Sequence, residues 1–150
     1  PIYEEFFEPI RDEPVTLLEI GVASGASVGM WLEYFPNGKI IGIDRKMPEG
    51  FVHPRLCGFE MDQTDEQELY KLREFRFDII IDDGSHRSID QLLTCHALWW
   101  TLKPGGMYFV EDLPAVDRLH YWSMMPSYRA WPNLKDGRCD DILVMLRKSP

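Results

Sequence analysis

The chain has 150 residues, 45% hydrophobic and 13% aromatic, which is enough for one core without disulfides, and it contains no apolar run of the roughly 18 residues that a membrane span requires. A formal net charge of −9 opposes the phosphate attraction on which nucleic-acid binding depends, and no Lys or Arg stripe offsets it, so neither nucleic acid nor membrane is an expected partner. Cys57, Cys95 and Cys139 stand far apart with no Cys-x-x-Cys spacing, which argues against a disulfide framework and a thiolate metal site and points to a reducing cytoplasm.

The stretch from Pro1 to Glu8 carries no basic residue and is unlike a signal peptide; the missing initiator Met points to processing or a trimmed chain. Runs rich in β-branched residues then read as strands: Thr16 to Val22, Lys39 to Ile43, Leu56 to Met61, Phe77 to Ile81, Met107 to Val110 and Ile142 to Leu146. Between the first two, Val28, Trp31, Leu32 and Phe35 recur at helical spacing before a Pro36-Asn37-Gly38 stop. Ahead of the fourth, Thr64 and Gln67 form a capping-box pattern before Leu69, Leu72 and Phe75. After it, Ile89, Leu92, Leu93, His96, Trp99 and Trp100 mark a helix whose apolar face includes His96 as a core residue, ended by Lys103-Pro104-Gly105-Gly106. This alternation predicts an α/β, doubly wound, mostly parallel sheet of about six to seven strands with helices on both faces, as one domain over residues 1–150.

In such folds ligands bind beyond the carboxyl ends of the strands. The first strand runs into Glu19-Ile-Gly-Val-Ala-Ser-Gly25, a small-residue turn that lets backbone approach a ligand at a helix N-terminus. Roughly 20 residues beyond Gly21, Asp44 ends the second strand where a carboxylate can bind ribose hydroxyls. A full G-x-G-x-x-G is absent, since Ala23 and Ala26 stand where glycines would, so the turn leans away from a dinucleotide and towards S-adenosylmethionine. Asp62 and Gln63 end the third strand, facing an adenine edge or, for Asp62, merely preceding a helix cap.

The fourth strand enters Asp82-Asp83-Gly84-Ser85-His86 and the fifth enters Glu111-Asp112, so neighbouring strand ends bring Asp83, Glu111 and Asp112 together. Three adjacent carboxylates repel unless a hard cation joins them, and oxygen ligation suits Mg²⁺ better than zinc. Glu111 and Asp112 are consecutive, so both can face the cation only if the strand has already turned. The alternatives are helix capping by Asp82 or Asp83 ahead of Ser88 and ion pairing of Glu111 or Asp112 with an Arg. His86 follows on the same rim, and an imidazole titrates near neutral pH, as a general base must.

Phe77-Asp-Ile-Ile-Ile-Asp-Asp-Gly-Ser-His86, Asp90-Gln91-Leu92, Leu102-Lys-Pro-Gly-Gly106 and Tyr108-Phe-Val-Glu-Asp112 together resemble the S-adenosylmethionine-dependent methyltransferase superfamily, and within it the macrocin/mycinamicin-type metal-dependent sugar O-methyltransferases. The resemblance implies a Rossmann-like methyltransferase fold with Asp83, Glu111 and Asp112 as Mg²⁺ ligands and His86 as general base. It also implies Glu19, Gly21 and, in place of a common glycine, Ala23 around the methionine part of the cofactor, Asp44 on its ribose, and Asp62 and Gln63 near its adenine. The chain departs from the pattern in lacking the helices that usually precede the first strand and in showing only one strand after Glu111-Asp112.

The expected activity is Mg²⁺-dependent transfer of a methyl group to a small-molecule hydroxyl, more specifically on a sugar of a natural product. The alternatives are a hydroxylase similar to the cephalosporin-hydroxylase group and a non-catalytic cofactor-binding subunit. The aromatic segment from Pro114 to Gly137, with His120, Tyr121, Trp122, Met124, Met125, Tyr128 and Trp131, is expected to fold over the acceptor as a lid or to pack a homo-oligomer interface.

Overall fold

A computed structural model of the chain describes residues 2–50, 52–113, 119–125, 127–132 and 142–150. Its strands are β1 (Thr16–Ile20), β2 (Lys39–Asp44), β3 (Leu56–Glu60), β4 (Phe77–Asp82), β5 (Leu102–Leu113), β6 (Arg129–Pro132) and β7 (Ile142–Arg147). Its α-helices are α1 (Ile2–Phe7), α2 (Ala26–Tyr34), α3 (Glu66–Tyr70), α4 (Ser88–Leu98) and α5 (Leu119–Ser123). The strands form one sheet in the order β3-β2-β1-β4-β5-β7-β6. β1 to β5 pair in parallel, and β7 runs antiparallel to both β5 and β6. The expected doubly wound, mostly parallel architecture is therefore the observed one.

The central strands are apolar on both sides because both faces of the sheet are covered. Leu18, Ile20, Ile41, Ile43, Ile80, Tyr108 and Val110 face a core completed by residues of α3, α4 and α5. Leu17, Ile40, Ile79, Ile81, Met107 and Phe109 face a second core completed by Phe7 of α1 and by Val28, Trp31 and Leu32 of α2. Each such buried side chain contributes roughly 1.5–3 kcal/mol. No helix among the described residues is long and apolar enough to cross a membrane.

Four expectations need correction. One short helix, α1, does precede the first strand; at six residues it shows no apolar period in the sequence and is held by aromatic packing of Phe7 on Trp31, Phe35 and Phe109. Two strands follow Glu111-Asp112, because β6, Arg129–Pro132, pairs with β7; it lacks β-branched residues and ends in Pro, which an edge strand tolerates. The cap of α3 is Asp65, whose carboxylate accepts from the Gln67 and Glu68 amides, and not Thr64, which is bonded to Asp62.

The fourth correction concerns α4. His96 is exposed, as are Ile89, Leu93 and Trp100, while Asp90, Gln91, Thr94, Cys95 and Leu98 are buried. The helix turns a largely polar face inward because the strand ends beneath it carry buried polar groups needing partners. Thr94 Oγ1 meets Gln63, and Gln91 Nε2 donates to the main-chain carbonyl of Glu111 at 2.9 Å. An apolar-period reading cannot anticipate that demand.

Candidate functional site at the strand ends

β1 stops where Gly21 takes φ 90°, and a side chain there could not fit, since a Cβ on Gly21 would lie 2.2 Å from the Asp83 carbonyl oxygen. The turn after β1 thus packs directly on the backbone beyond β4. Ala23 holds φ 47°, a left-handed conformation that costs an L-residue about 1–2 kcal/mol, and its amide donates to Asp44 Oδ2 at 2.9 Å. Asp44 Oδ1 accepts from the Lys46 amide at 3.2 Å, so the β2 carboxylate is oriented from both sides. Gly25, at φ 83°, caps α2.

Glu19, at the end of β1, is 2% exposed, and its carboxyl is pushed up to about 7 by burial, partly offset by Ser27 and Trp31. Neither its Oε2 atom nor the indole Nε1 of Trp31 completes a well-formed hydrogen bond. Asp62 keeps its carboxyl below the usual range, because Oδ1 accepts from the Thr64 amide and hydroxyl.

Gln63 is not a surface amide. Its Nε2 donates to Asp82 Oδ1 at 3.1 Å and lies 3.2 Å from Thr94 Oγ1, while its Oε1 accepts from the Ser85 amide at 2.6 Å. Asp82 is fully buried and pushed up to about 7 by that burial, with Gln63, the Gly84 amide and the Tyr108 hydroxyl opposing the shift. This network holds the loop that carries Asp83 and His86. Gly84 is part of it, since a Cβ there would lie 2.0 Å from Gln63 Oε1.

A cleft of about 460 Å³ opens over the ends of β1, β2, β3 and β4, a volume suited to a small organic cofactor. Gly21, Asp44, Asp62 and Gln63 line it; Glu19 and Ala23 are not among its lining residues. Arg45, Ser85 and Arg87 also line it. None of the three stands out in the sequence as a ligand contact, although Arg45 directly follows Asp44 at the same strand end.

Beyond the cleft, one ligand atom each from Asp83, His86 and Asp112 lies within 4.8 Å of the others. His86 Nδ1 is 3.9 Å from Asp83 Oδ1. The turn needed at the end of β5 is present: the pairing of β5 with β7 shifts register between Val110 and Leu113, and Asp112 takes φ 49°. His86 takes φ 54°. Strained backbone at two of three clustered residues is typical of functional sites. Neither Asp82 nor Asp83 caps α4, whose N-cap, Arg87, supplies no side-chain bond.

Glu111 stands beside this cluster and not within it; the Tyr3 hydroxyl, brought over by α1, donates to its Oε1. Tyr3 was not foreseen, because nothing in its sequence context links it to β5. Asp83 is pushed up to about 7, first by burial and then by Glu111, Asp112, Glu19 and Asp82. Converging acidic donors that resist ionisation together fit a hard divalent cation, whose charge removes the repulsion.

No family model matches the sequence. Among curated proteins, the chain is similar to the 8-demethyl-8-alpha-L-rhamnosyl tetracenomycin-C 2'-O-methyltransferase of Streptomyces olivaceus, at 39% identity over 129 residues, 80% of this chain and 33% of that protein. It is 35% identical over 122 residues to the Mycinamicin VI 2''-O-methyltransferase of Micromonospora griseorubida, covering 75% of this chain and 31% of that one. The chain spans about a third of the length of these relatives. Among solved structures, the MycE methyltransferase from the mycinamycin biosynthetic pathway, in complex with Mg and SAH, matches in fold with a TM-score of 0.84 and 23% identity over 99% of this chain and 49% of that one. MycE in complex with Mg, SAH and Mycinamycin VI matches with a TM-score of 0.72 and 33% identity over 83% of this chain and 33% of that one.

Proposed function

Because this chain belongs to the S-adenosylmethionine-dependent methyltransferase superfamily and is similar to its macrocin- and mycinamicin-type sugar O-methyltransferases, we propose that it is the catalytic core of a Mg²⁺-dependent enzyme that methylates a sugar hydroxyl on a natural product. The observation that carries this reading is the Asp83–His86–Asp112 cluster beside a cleft whose far wall is Asp44.

In this reading Asp44 binds the ribose hydroxyls of S-adenosylmethionine, held ready by the Ala23 and Lys46 amides. The backbone of the Gly21 turn and the buried Glu19 receive the methionine portion. Asp62 and Gln63 border the adenine end, Gln63 chiefly by shaping the wall, since its amide is spent on Asp82, Thr94 and Ser85. Asp83 and Asp112, with Glu111 beside them, hold Mg²⁺. When bound, the cation lowers the pKa of an acceptor hydroxyl and the cofactor supplies the methyl group. His86 takes the hydroxyl proton at Nε2, its Nδ1 being turned to Asp83.

Residues 1–150 form one domain in this reading, acting in a reducing cytoplasm where Cys57 and Cys95 stay free thiols. Its partner is a neutral or cationic small molecule with vicinal hydroxyls, and not a nucleic acid, given the net charge of −9. Of the segment expected to cover the acceptor, 114–118, 126 and 133–137 lie outside the described residues, as does Cys139. Trp122 is fully buried and Trp131 packs on Phe6, so both anchor the segment; Tyr121 and Met124, which are exposed, are the better acceptor contacts.

The test is transfer of labelled methyl from S-adenosylmethionine to a panel of glycosides in the presence of Mg²⁺. Label on a sugar hydroxyl is the expected result. Cofactor binding without transfer favours a non-catalytic subunit, and an acceptor hydroxylated without label favours the hydroxylase alternative.

A further inference from the structure

Tyr3 is the first aromatic residue of the chain, lies far from every strand end in sequence, and has its hydroxyl on Glu111 Oε1. Its ring is fixed by three elements. It stacks on Phe7 of α1 at 5.1 Å, meets Phe109 of β5 at 5.0 Å and meets the edge of Trp31 of α2 at 5.7 Å between ring centroids. A phenol locked in that way delivers its hydroxyl to one place, with little rotamer freedom left to lose.

Glu111 is held at its other end as well, since Gln91 of α4 donates to its main-chain carbonyl. The two contacts come from opposite faces of the sheet. A glutamate has three rotatable side-chain bonds, and the hydrogen bond from the fixed phenol narrows the positions its carboxylate takes relative to Asp83 and Asp112, which sit at the same strand ends.

We propose that Tyr3 is a positioning residue for the divalent-cation site, fixing the Glu111 carboxylate beside Asp83 and Asp112 and so raising the affinity for the cation. This rests on reading that cluster as a metal site. Outer partners that orient ligating groups are worth about 10- to 100-fold in metal affinity. A carboxylate has enough lone pairs to accept from a phenol and still face a cation.

The experiment is a titration of the whole chain with Mn²⁺, followed by electron paramagnetic resonance, with Mg²⁺ as competitor. Tyr3→Phe removes one oxygen and keeps every ring contact, and it should weaken Mn²⁺ by about 10- to 100-fold while leaving the melting temperature of the metal-free chain nearly unchanged. In a Glu111→Ala background the same substitution should change Mn²⁺ affinity by less than about twofold, because its effect passes through Glu111. Affinity that is unchanged or tighter in Tyr3→Phe overturns the assignment, as does an equal further loss in the Glu111→Ala background, the mark of a purely structural role. If wild type binds Mn²⁺ and Tyr3→Phe is unaffected, only this inference fails; if wild type binds none, the metal reading fails with it.

Discussion

His86 Nδ1 sits 3.9 Å from Asp83 Oδ1, and the chain reaches that juxtaposition by forcing His86 into a left-handed backbone at φ 54°. A histidine serving only as surface decoration has no reason to bear the roughly 1–2 kcal/mol this costs. We expect His86→Ala to lower kcat by about 10²- to 10⁴-fold, with cofactor affinity nearly unchanged. Turnover within a factor of two of wild type would make His86 a bystander.

Asp83 is the carboxylate on which the repulsion of the cluster converges. Asp83→Ala should abolish divalent-cation binding and activity and leave S-adenosylhomocysteine binding largely in place. In wild type, EDTA should stop turnover and Mg²⁺ should restore it. Full activity after exhaustive chelation would show that the cluster is structural.

Asp44 carries two roles, orienting its own loop and the turn at Ala23. Asp44→Ala should therefore weaken S-adenosylhomocysteine by at least about tenfold, the worth of one hydrogen bond to a charged group. Calorimetry returning wild-type affinity from a folded variant would remove Asp44 from the site.

Glu19, Asp82 and Asp83 hold their protons to about pH 7 in the folded chain, whereas unfolded carboxylates release theirs near 4. Between those values the folded state binds more protons, so these groups make unfolding easier as pH rises and cost most stability above 7. A divalent cation binds the deprotonated cluster, and its effect should run the other way. Melting temperature raised by Mg²⁺ more at about pH 8 than at about pH 5 is the expected pattern. An equal rise at both pH values would contradict the raised pKa values.

Gln63 satisfies Asp82, Thr94 and Ser85 from a single buried amide. Gln63→Leu keeps the volume and strips those bonds, leaving the buried Asp82 with fewer donors. Denaturant unfolding should show a loss of about 1–3 kcal/mol. A loss under half of that would mean that the network contributes little.

The parallel core of the sheet was legible because β1, β2 and β4 are buried on both faces and announce themselves as unbroken apolar runs. Asp44, Asp83 and Asp112 were legible because each ends such a run. What escaped was decided by contacts and not by pattern. α1 and Tyr3 owe their place to aromatic neighbours distant in sequence, and β6 is visible only through its pairing with β7. The inward face of α4 was misread because its partners are Gln63 and the Glu111 carbonyl, where a periodic stripe would have required an oily surface. Gln63 was identified by position, but its engagement below the cleft depends on Asp82, whose burial no local signal encodes.

The missing side chain at Gly21 has a reach beyond its own turn. With a Cβ there lying 2.2 Å from the Asp83 carbonyl oxygen, the cradle for one ligand and the stem of the other's cluster share a wall with no slack in it. Two pockets built on one wall cannot be tuned separately by displacement, because whatever moves the turn moves the loop. If the proposed cofactor and cation both bind, thermodynamic reciprocity sets the terms: by whatever factor the one changes the hold on the other, the other changes the hold on the one.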